Sequence, residues 1–110
     1  MAVKNILINK KKLRIKDCKG LSSIRGLMFN NMNKIDGALI YANRIWMPFV
    51  KHNLDLFFLD ENFKLIEKQF AVPITFNPKT WKVYECSDAR YCLETKAGAV
   101  KANSGMKIKI

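Results

Sequence analysis

The side chains able to do chemistry are few, and their spacing argues against catalysis. His52 is the only histidine, so no histidine cluster can hold a metal and no histidine pair can relay protons. Beside Lys51 and Asn53 it reads as an exposed polar residue. The three cysteines, Cys18, Cys86 and Cys92, form no C-x-x-C pair and make neither a zinc site nor a disulfide framework. Cys92, between Tyr91 and Leu93, reads as a small apolar filler on a strand. A reactive thiolate needs a basic or helix-terminal setting, and Arg90 is near it only in sequence. No serine lies in a G-x-S-x-G elbow and no G-x-x-x-x-G-K-[ST] loop is present, while Gly20 and Gly26 are too isolated to cradle a phosphate. No cofactor, metal or catalytic residue is expected.

Binding chemistry has more support. Asp55 lies in Leu54-Asp55-Leu56-Phe57-Phe58-Leu59, where strand alternation puts it on one face with Phe57 and Leu59. A carboxylate among large apolar groups needs a partner or an altered protonation state. Arg90 is the expected partner in a structural ion pair, beside the alternative of a hydrogen bond to backbone amides at a strand end. The sharper reading is a polar centre in an apolar cleft, usable for binding or acid–base work, and Glu94 follows the same logic. Ile45-Trp46-Met47-Pro48-Phe49, with Met28-Phe29 and Met32, supplies either core or an adaptable groove. Phe76 and Trp81 lie in or beside a proline-flanked loop with Lys79 and Lys82 interleaved. Cations among aromatics suit stacking on single-stranded nucleic acid with neutralised phosphates.

These groups need a scaffold, and the chain can build one. Its 110 residues, 49% hydrophobic, make a single domain spanning 1–110 with no need of a staple. No apolar run approaches a membrane span, and residues 1–12 lack a signal-peptide pattern, so no membrane contact and a cytoplasmic address are expected. The net charge is +11, and residues 1–25 hold eight Lys and Arg against one Asp. Within that basic stretch Ile6 and Ile8, then Leu13 and Ile15, recur with period two, the mark of half-buried strands. Asn9-Lys10-Lys11-Lys12 belongs at a hairpin tip or an exposed edge, where lysine also discourages aggregation.

The rest of the chain reads as short elements. Residues 22–28 predict a brief helix capped by Ser22 or Ser23. Residues 37–41 and 44–47 are apolar runs joined at Ala42-Asn43. Leu54–Leu59 is a strand, Asp60-Glu61-Asn62 a turn, and residues 64–72 the returning strand. Residues 81–86 and 90–95 are strands around Ser87-Asp88. Residues 97–103 predict two helical turns, stopped by Ser104-Gly105 before a last strand at 106–110. The expected architecture is mainly β, a compact antiparallel sandwich or barrel with one or two short helices.

Arg25-Gly26-Leu27-Met28-Phe29, Trp46-Met47, the segment from Leu54 to Asp60, and Ala89-Arg90-Tyr91-Cys92-Leu93-Glu94 with Ala97-Gly98 occur in a distinctive order. Together they resemble the domain-of-unknown-function 192 family of archaea and bacteria, over roughly residues 13 to 110. The closing Ser104-Gly105-Met106-Lys107-Ile108 resembles the family's Gly-Asp-Lys ending, with Met106 replacing the acid. Pro48-Phe49-Val50 stands where many bacterial members carry Lys-Asn, as in an archaeal-type member. The resemblance implies a compact mainly β domain with a little helix and no established activity. It nominates Arg25, Met28, Trp46, Met47, Asp55, Arg90 and Tyr91 as a shared surface. Many bacterial members look exported, whereas this chain reads as cytoplasmic.

Three functions are carried forward. The first is a non-enzymatic module binding nucleic acid, RNA foremost, with Lys10, Lys11, Lys12 and Arg14 on phosphates, Phe76 and Trp81 stacking, and Lys79 and Lys82 beside them. The second is a cleft for a small molecule or peptide, of a binding domain or of an enzyme, around Trp46, Asp55 and Arg90. The third is an interaction subunit whose apolar Met and Phe surface a partner or a second copy buries.

Overall fold

The structure, a computed structural model, describes residues 2–8, 11–18, 35–46 and 52–109. Among these, the strands run β1 (Ala2–Ile8), β2 (Lys11–Cys18), β3 (Gly37–Ile40), β4 (Arg44–Trp46), β5 (Leu54–Leu59), β6 (Leu65–Ala71), β7 (Val83–Glu85) and β8 (Tyr91–Lys96). A sheet in the order β1-β2-β3-β8-β5-β6 carries a separate β4–β7 ribbon. The domain is therefore mainly β, as the alternation predicts.

Alternation explains how the layers form. Ile6 pairs with Leu13 across the β1–β2 hairpin, and both turn inward while Lys12 and Arg14 stay exposed. β5 has no polar face to spare, because all six of its residues are buried. Leu54, Leu56 and Phe58 pack with Ala38, Ile40 and Cys92 beneath Ile45 and Tyr84 of the ribbon. Phe57 and Leu59 pack on the opposite face with Leu39, Leu93, Val100 and Ile108. Each large side chain so buried contributes about 1.5–3 kcal/mol relative to exposure.

The C-terminal segment ties the two edges of the sheet. Leu65 N–H donates to Met106 O at 2.8 Å, Ile108 N–H to Phe63 O at 3.0 Å, and Leu7 and Lys109 exchange bonds of 2.9 and 3.1 Å. These are isolated bridges rather than the continuous last strand expected for residues 106–110. β1 and β6 do not pair with each other, so the sheet is not closed into a barrel.

Two further expectations are corrected. The sheet is not wholly antiparallel, because β2 and β3 run parallel, with Ile15 opposite Gly37. Alternation marks a strand but not its direction, and the connection from Cys18 to Gly37 is long enough for the crossover that parallel neighbours require. Residues 97–103 form no helix. Gly98 sits at φ +80°, Ala97 N–H donates to Asn53 O, and Val100 joins the core. So short a segment cannot offset helix nucleation when its backbone donors have better acceptors. Among the described residues one 3-10 turn, Pro78–Thr80, is the only helical element. The helix expected at 22–28 lies outside them.

Two tests follow from this framework. A Cβ at Gly37 would run into the carbonyl oxygen of Glu94 on β8, so glycine lets β3 and β8 approach. Gly37→Ala should lower the unfolding free energy by about 1–3 kcal/mol, read as a lower urea midpoint; an unchanged midpoint contradicts the close approach. At the β5–β6 turn, Asp60 accepts N–H bonds from Asn62 at 2.8 Å and Lys64 at 3.0 Å. The Lys64 bond foremost holds its carboxyl below the ordinary 3.8, outweighing slight burial. A depressed folded-state pKa gives stability that is complete above the unfolded value and lost as pH falls through the folded one. Asp60→Asn should therefore lower stability across the neutral range and flatten its further loss below pH 3.8, whereas an unchanged acid limb contradicts the turn's role.

Candidate functional site

Between β6 and β7 the chain builds a rigid loop from its own polar groups. Asn77 is extended (φ −78°, ψ 117°) and caps the 3-10 turn, with Pro78 just inside it, where a fixed φ suits the first position. The Asn77 side chain accepts the Lys79 N–H at 3.1 Å. Thr80 Oγ1 donates to Asn77 O at 2.7 Å and accepts Thr75 N–H at 2.9 Å, while Thr75 Oγ1 accepts Asn77 N–H at 3.1 Å. Trp81 Nε1 donates to Thr75 O at 2.8 Å. The indole's one polar group is thus used within the loop, leaving its aromatic surface for contact.

This loop displays aromatic surface to solvent. Phe76 is 103% exposed and Trp81 62%, in a protein whose other Phe side chains include the fully buried Phe57 and Phe58. Lys79 and Lys82 are exposed alongside, and Lys82 Nζ lies 4.8 Å from the Tyr84 ring centroid. Among the described residues neither lysine has a carboxylate partner. The outer face of the ribbon continues the surface: Val83 pairs with Trp46, both exposed at 45% and 60%, beside an Arg44–Glu85 ion pair of 3.2 Å.

Phe76, Lys79, Trp81 and Lys82, nominated together from sequence, are brought together. The basic group is elsewhere. Lys11, Lys12 and Arg14 lie on β2, second from one edge, whereas the loop leaves β6 at the other edge. Lys11 Nζ is engaged, donating to Ala99 O at 2.6 Å. Lys10 lies outside the described residues.

The cleft nominated around Trp46, Asp55 and Arg90 does not form. Asp55 opposes Thr95, whereas Leu59 opposes Tyr91 and takes the Arg90 N–H. Four residues of strand, roughly 14 Å, therefore separate Asp55 from that end of β8. Arg90 is exposed and Asp55 buried. Asp55 Oδ2 instead accepts the Gly98 N–H at 2.9 Å and faces Lys68 Nζ at 3.7 Å. Trp46 sits outward on the ribbon, across the sheet from Asp55. Tyr91 packs in the core layer, stacked on Phe63 at 4.5 Å and edge-on to Tyr41 at 5.3 Å. Arg25, Met28 and Met47 lie outside the described residues.

Sequence reasoning missed the ion-pair partner Lys68, which sits at an ordinary edge-strand position, and the Thr75–Thr80 scaffold. It also missed an open groove of about 890 Å³ between β6 and the ribbon, lined in part by Glu67, Glu85, Cys86 and Asp88. Cys92 is fully buried, and burial pushes its thiol well up; the Cys86 thiol is also raised, chiefly by burial. Neither is poised as a nucleophile. Among the described residues no group of three His, Cys, Asp or Glu could hold a metal ion, and no helix is long and apolar enough to cross a membrane.

The model of the DUF192 family, described as Uncharacterized ACR, matches residues 16–110. The chain belongs to this family. No curated protein matches it. Its fold is similar to that of a crystal structure from Sinorhizobium meliloti 1021 described as a putative transcription regulator: TM-score 0.77, 19% identity, covering 96% of this chain and 89% of that one. A protein of unknown function from Novosphingobium aromaticivorans DSM 12444 is similar at TM-score 0.73 and 14% identity, covering 98% and 85%. At these identities the likeness concerns the fold of the DUF192 domain.

For Asp55 the geometry assigns a structural task. Asp55→Ala should cost about 1–3 kcal/mol of stability by stranding the Gly98 N–H, measured by chemical denaturation. Wild-type stability in that variant would contradict the assignment.

Proposed function

We propose that this DUF192 domain is a non-enzymatic, cytoplasmic binding module for single-stranded nucleic acid, RNA foremost, with the loop of residues 72–82 as its stacking surface. The arrangement of ribbon over sheet is read with it as sandwich-like, the ribbon serving as the rigid mount. One observation carries the reading: Phe76 and Trp81 are exposed on a loop whose own hydrogen bonds already order it. A surface ordered before binding loses little entropy on contact. Bases stack on aromatic rings for about 1–3 kcal/mol each, largely without regard to sequence. Lys79 and Lys82 supply charge for the backbone, and the net +11 favours polyanions generally.

Fluorescence anisotropy of labelled single-stranded RNA and DNA, at about 50 and 200 mM salt, tests the proposal. Saturable binding is expected to survive the higher salt, with RNA at least as tight as DNA. Phe76→Ala and Trp81→Ala should each weaken it roughly fivefold to a hundredfold. Replacing Lys79 and Lys82 with Ala should reduce the salt slope by up to about 1.4. Binding confined to low salt, or indifferent to both aromatic substitutions, overturns the reading. So does a concentration-dependent dimer, seen by light scattering, that Trp46→Ala abolishes while RNA binding is absent.

A further inference from the structure

The outer face of the β1–β2 hairpin carries a second concavity, away from the aromatic loop and with different chemistry. It is an open groove of about 520 Å³, lined by Asn5, Leu7, Lys12, Arg14, Asp36 and Lys109 over the hairpin backbone. Its volume falls within the range of small-molecule sites. The register explains why these residues converge. Asn5 lies opposite Arg14 and Leu7 opposite Lys12, and the Leu7–Lys109 bridge brings the C-terminal segment alongside. Lys12 and Arg14, two positions apart on one face, are roughly 7 Å apart along the strand. Lys109 flanks Leu7 on the side away from Lys12, two strand spacings or about 10 Å across.

Three cations therefore surround one half-buried leucine and one exposed amide. Among the described residues no carboxylate forms an ion pair with Lys12, Arg14 or Lys109. Asp36 is the acid nearby, and it is committed to the backbone: its Oδ2 accepts the Arg14 N–H at 2.8 Å and its own N–H donates to Arg14 O at 2.6 Å. The arrangement leaves mutually repelling positive charges around a concave, partly apolar surface. A compact, multiply charged anion would relieve that repulsion, and a guanidinium can grip phosphate oxygens in pairs.

We propose that this groove binds a small phosphate-bearing ligand of the diphosphate class, with Arg14, Lys12 and Lys109 on the phosphate oxygens and Asn5 donating from its amide. Leu7 gives the non-phosphate part of the ligand an apolar rest. The site is independent of the nucleic-acid reading, since it shares no residue with the 72–82 loop.

Isothermal titration of the full chain with inorganic pyrophosphate, and separately with inorganic phosphate, at about 100 mM salt tests it. Pyrophosphate is expected to bind saturably and more tightly than phosphate. The double variant Lys12→Ala/Arg14→Ala, and Lys109→Ala alone, should each weaken it at least about tenfold. Lys79→Ala/Lys82→Ala removes the same charge as the double variant at the other site and should change affinity less than about twofold. All these side chains are exposed, and unchanged NMR amide spectra outside the groove would show that each variant keeps its fold. Absence of saturable binding, or equal weakening by the control pair, overturns the proposal. It is likewise overturned if pyrophosphate does not bind while single-stranded RNA affinity falls with Lys12→Ala/Arg14→Ala. That outcome would make the groove a backbone contact. Loss of RNA binding in Trp81→Ala, with pyrophosphate binding intact, would bear on the loop alone.

Discussion

Burial of β5 on both faces is the constraint on which the remaining structure depends. A six-residue strand without a solvent face must be covered twice, and this small domain does so with separate pieces of chain. The β4–β7 ribbon covers Leu54, Leu56 and Phe58 through Ile45 and Tyr84. The segment after β8 covers Phe57 and Leu59 through Val100 and Ile108. Both exposed surfaces of interest follow from these covers. To reach the ribbon, the chain must leave the β6 edge and turn back, which puts residues 72–82 at the rim. To reach β1, the C-terminal segment must run past β6, which sets Lys109 beside Leu7.

The same constraint sorts the charges. Carboxylates on the face covered by the C-terminal segment cannot reach water freely, and each is met by a lysine from an edge strand. Lys4 of β1 lies 3.0 Å from Asp17, and Lys68 of β6 lies 3.7 Å from Asp55. Removing one member of such a pair costs more than the pair contributes, because a buried charge is left behind. These two lysines are thus structural, as is Lys11 on the Ala99 carbonyl. Lys12, Arg14, Lys79, Lys82 and Lys109 are the cations left facing solvent around the loop and the groove, and these are the ones available to ligands.

Much of the framework was legible in the residues. Period-two alternation marked β1 and β2, the Leu54–Leu59 run marked the doubly buried strand β5, and Asp60-Glu61-Asn62 marked the turn after it. Asp55 was rightly read as a carboxylate in an apolar setting. A bond to a backbone amide was among the readings, and Gly98 supplies it; the charged partner was not legible, because Arg90 is attractive only if β5 and β8 pair in another register. Pairing Asp55 with Thr95 is decided by the whole sheet rather than by either segment. The parallel β2–β3 step was hidden for a similar reason, since a strand's pattern is the same read in either direction. Residues 97–103 misled because their composition permits a helix while Asn53 and Asp55 offer the backbone other partners. The aromatic loop was readable because Pro, Phe, Lys and Trp are adjacent in sequence; its Thr75–Thr80 lock depends on a fold-back that spacing alone does not reveal.

The most direct measurement is NMR of the Phe76 and Trp81 ring protons as single-stranded RNA is added at about 150 mM salt. Stacked bases should move those ring signals upfield through ring currents. Amide shifts should concentrate in residues 75–83 and near Trp46, with the core strands β5 and β8 undisturbed. Ring signals that stay in place while RNA binds elsewhere, or no response at saturating RNA, would contradict the claim that this loop is the domain's nucleic-acid-stacking surface.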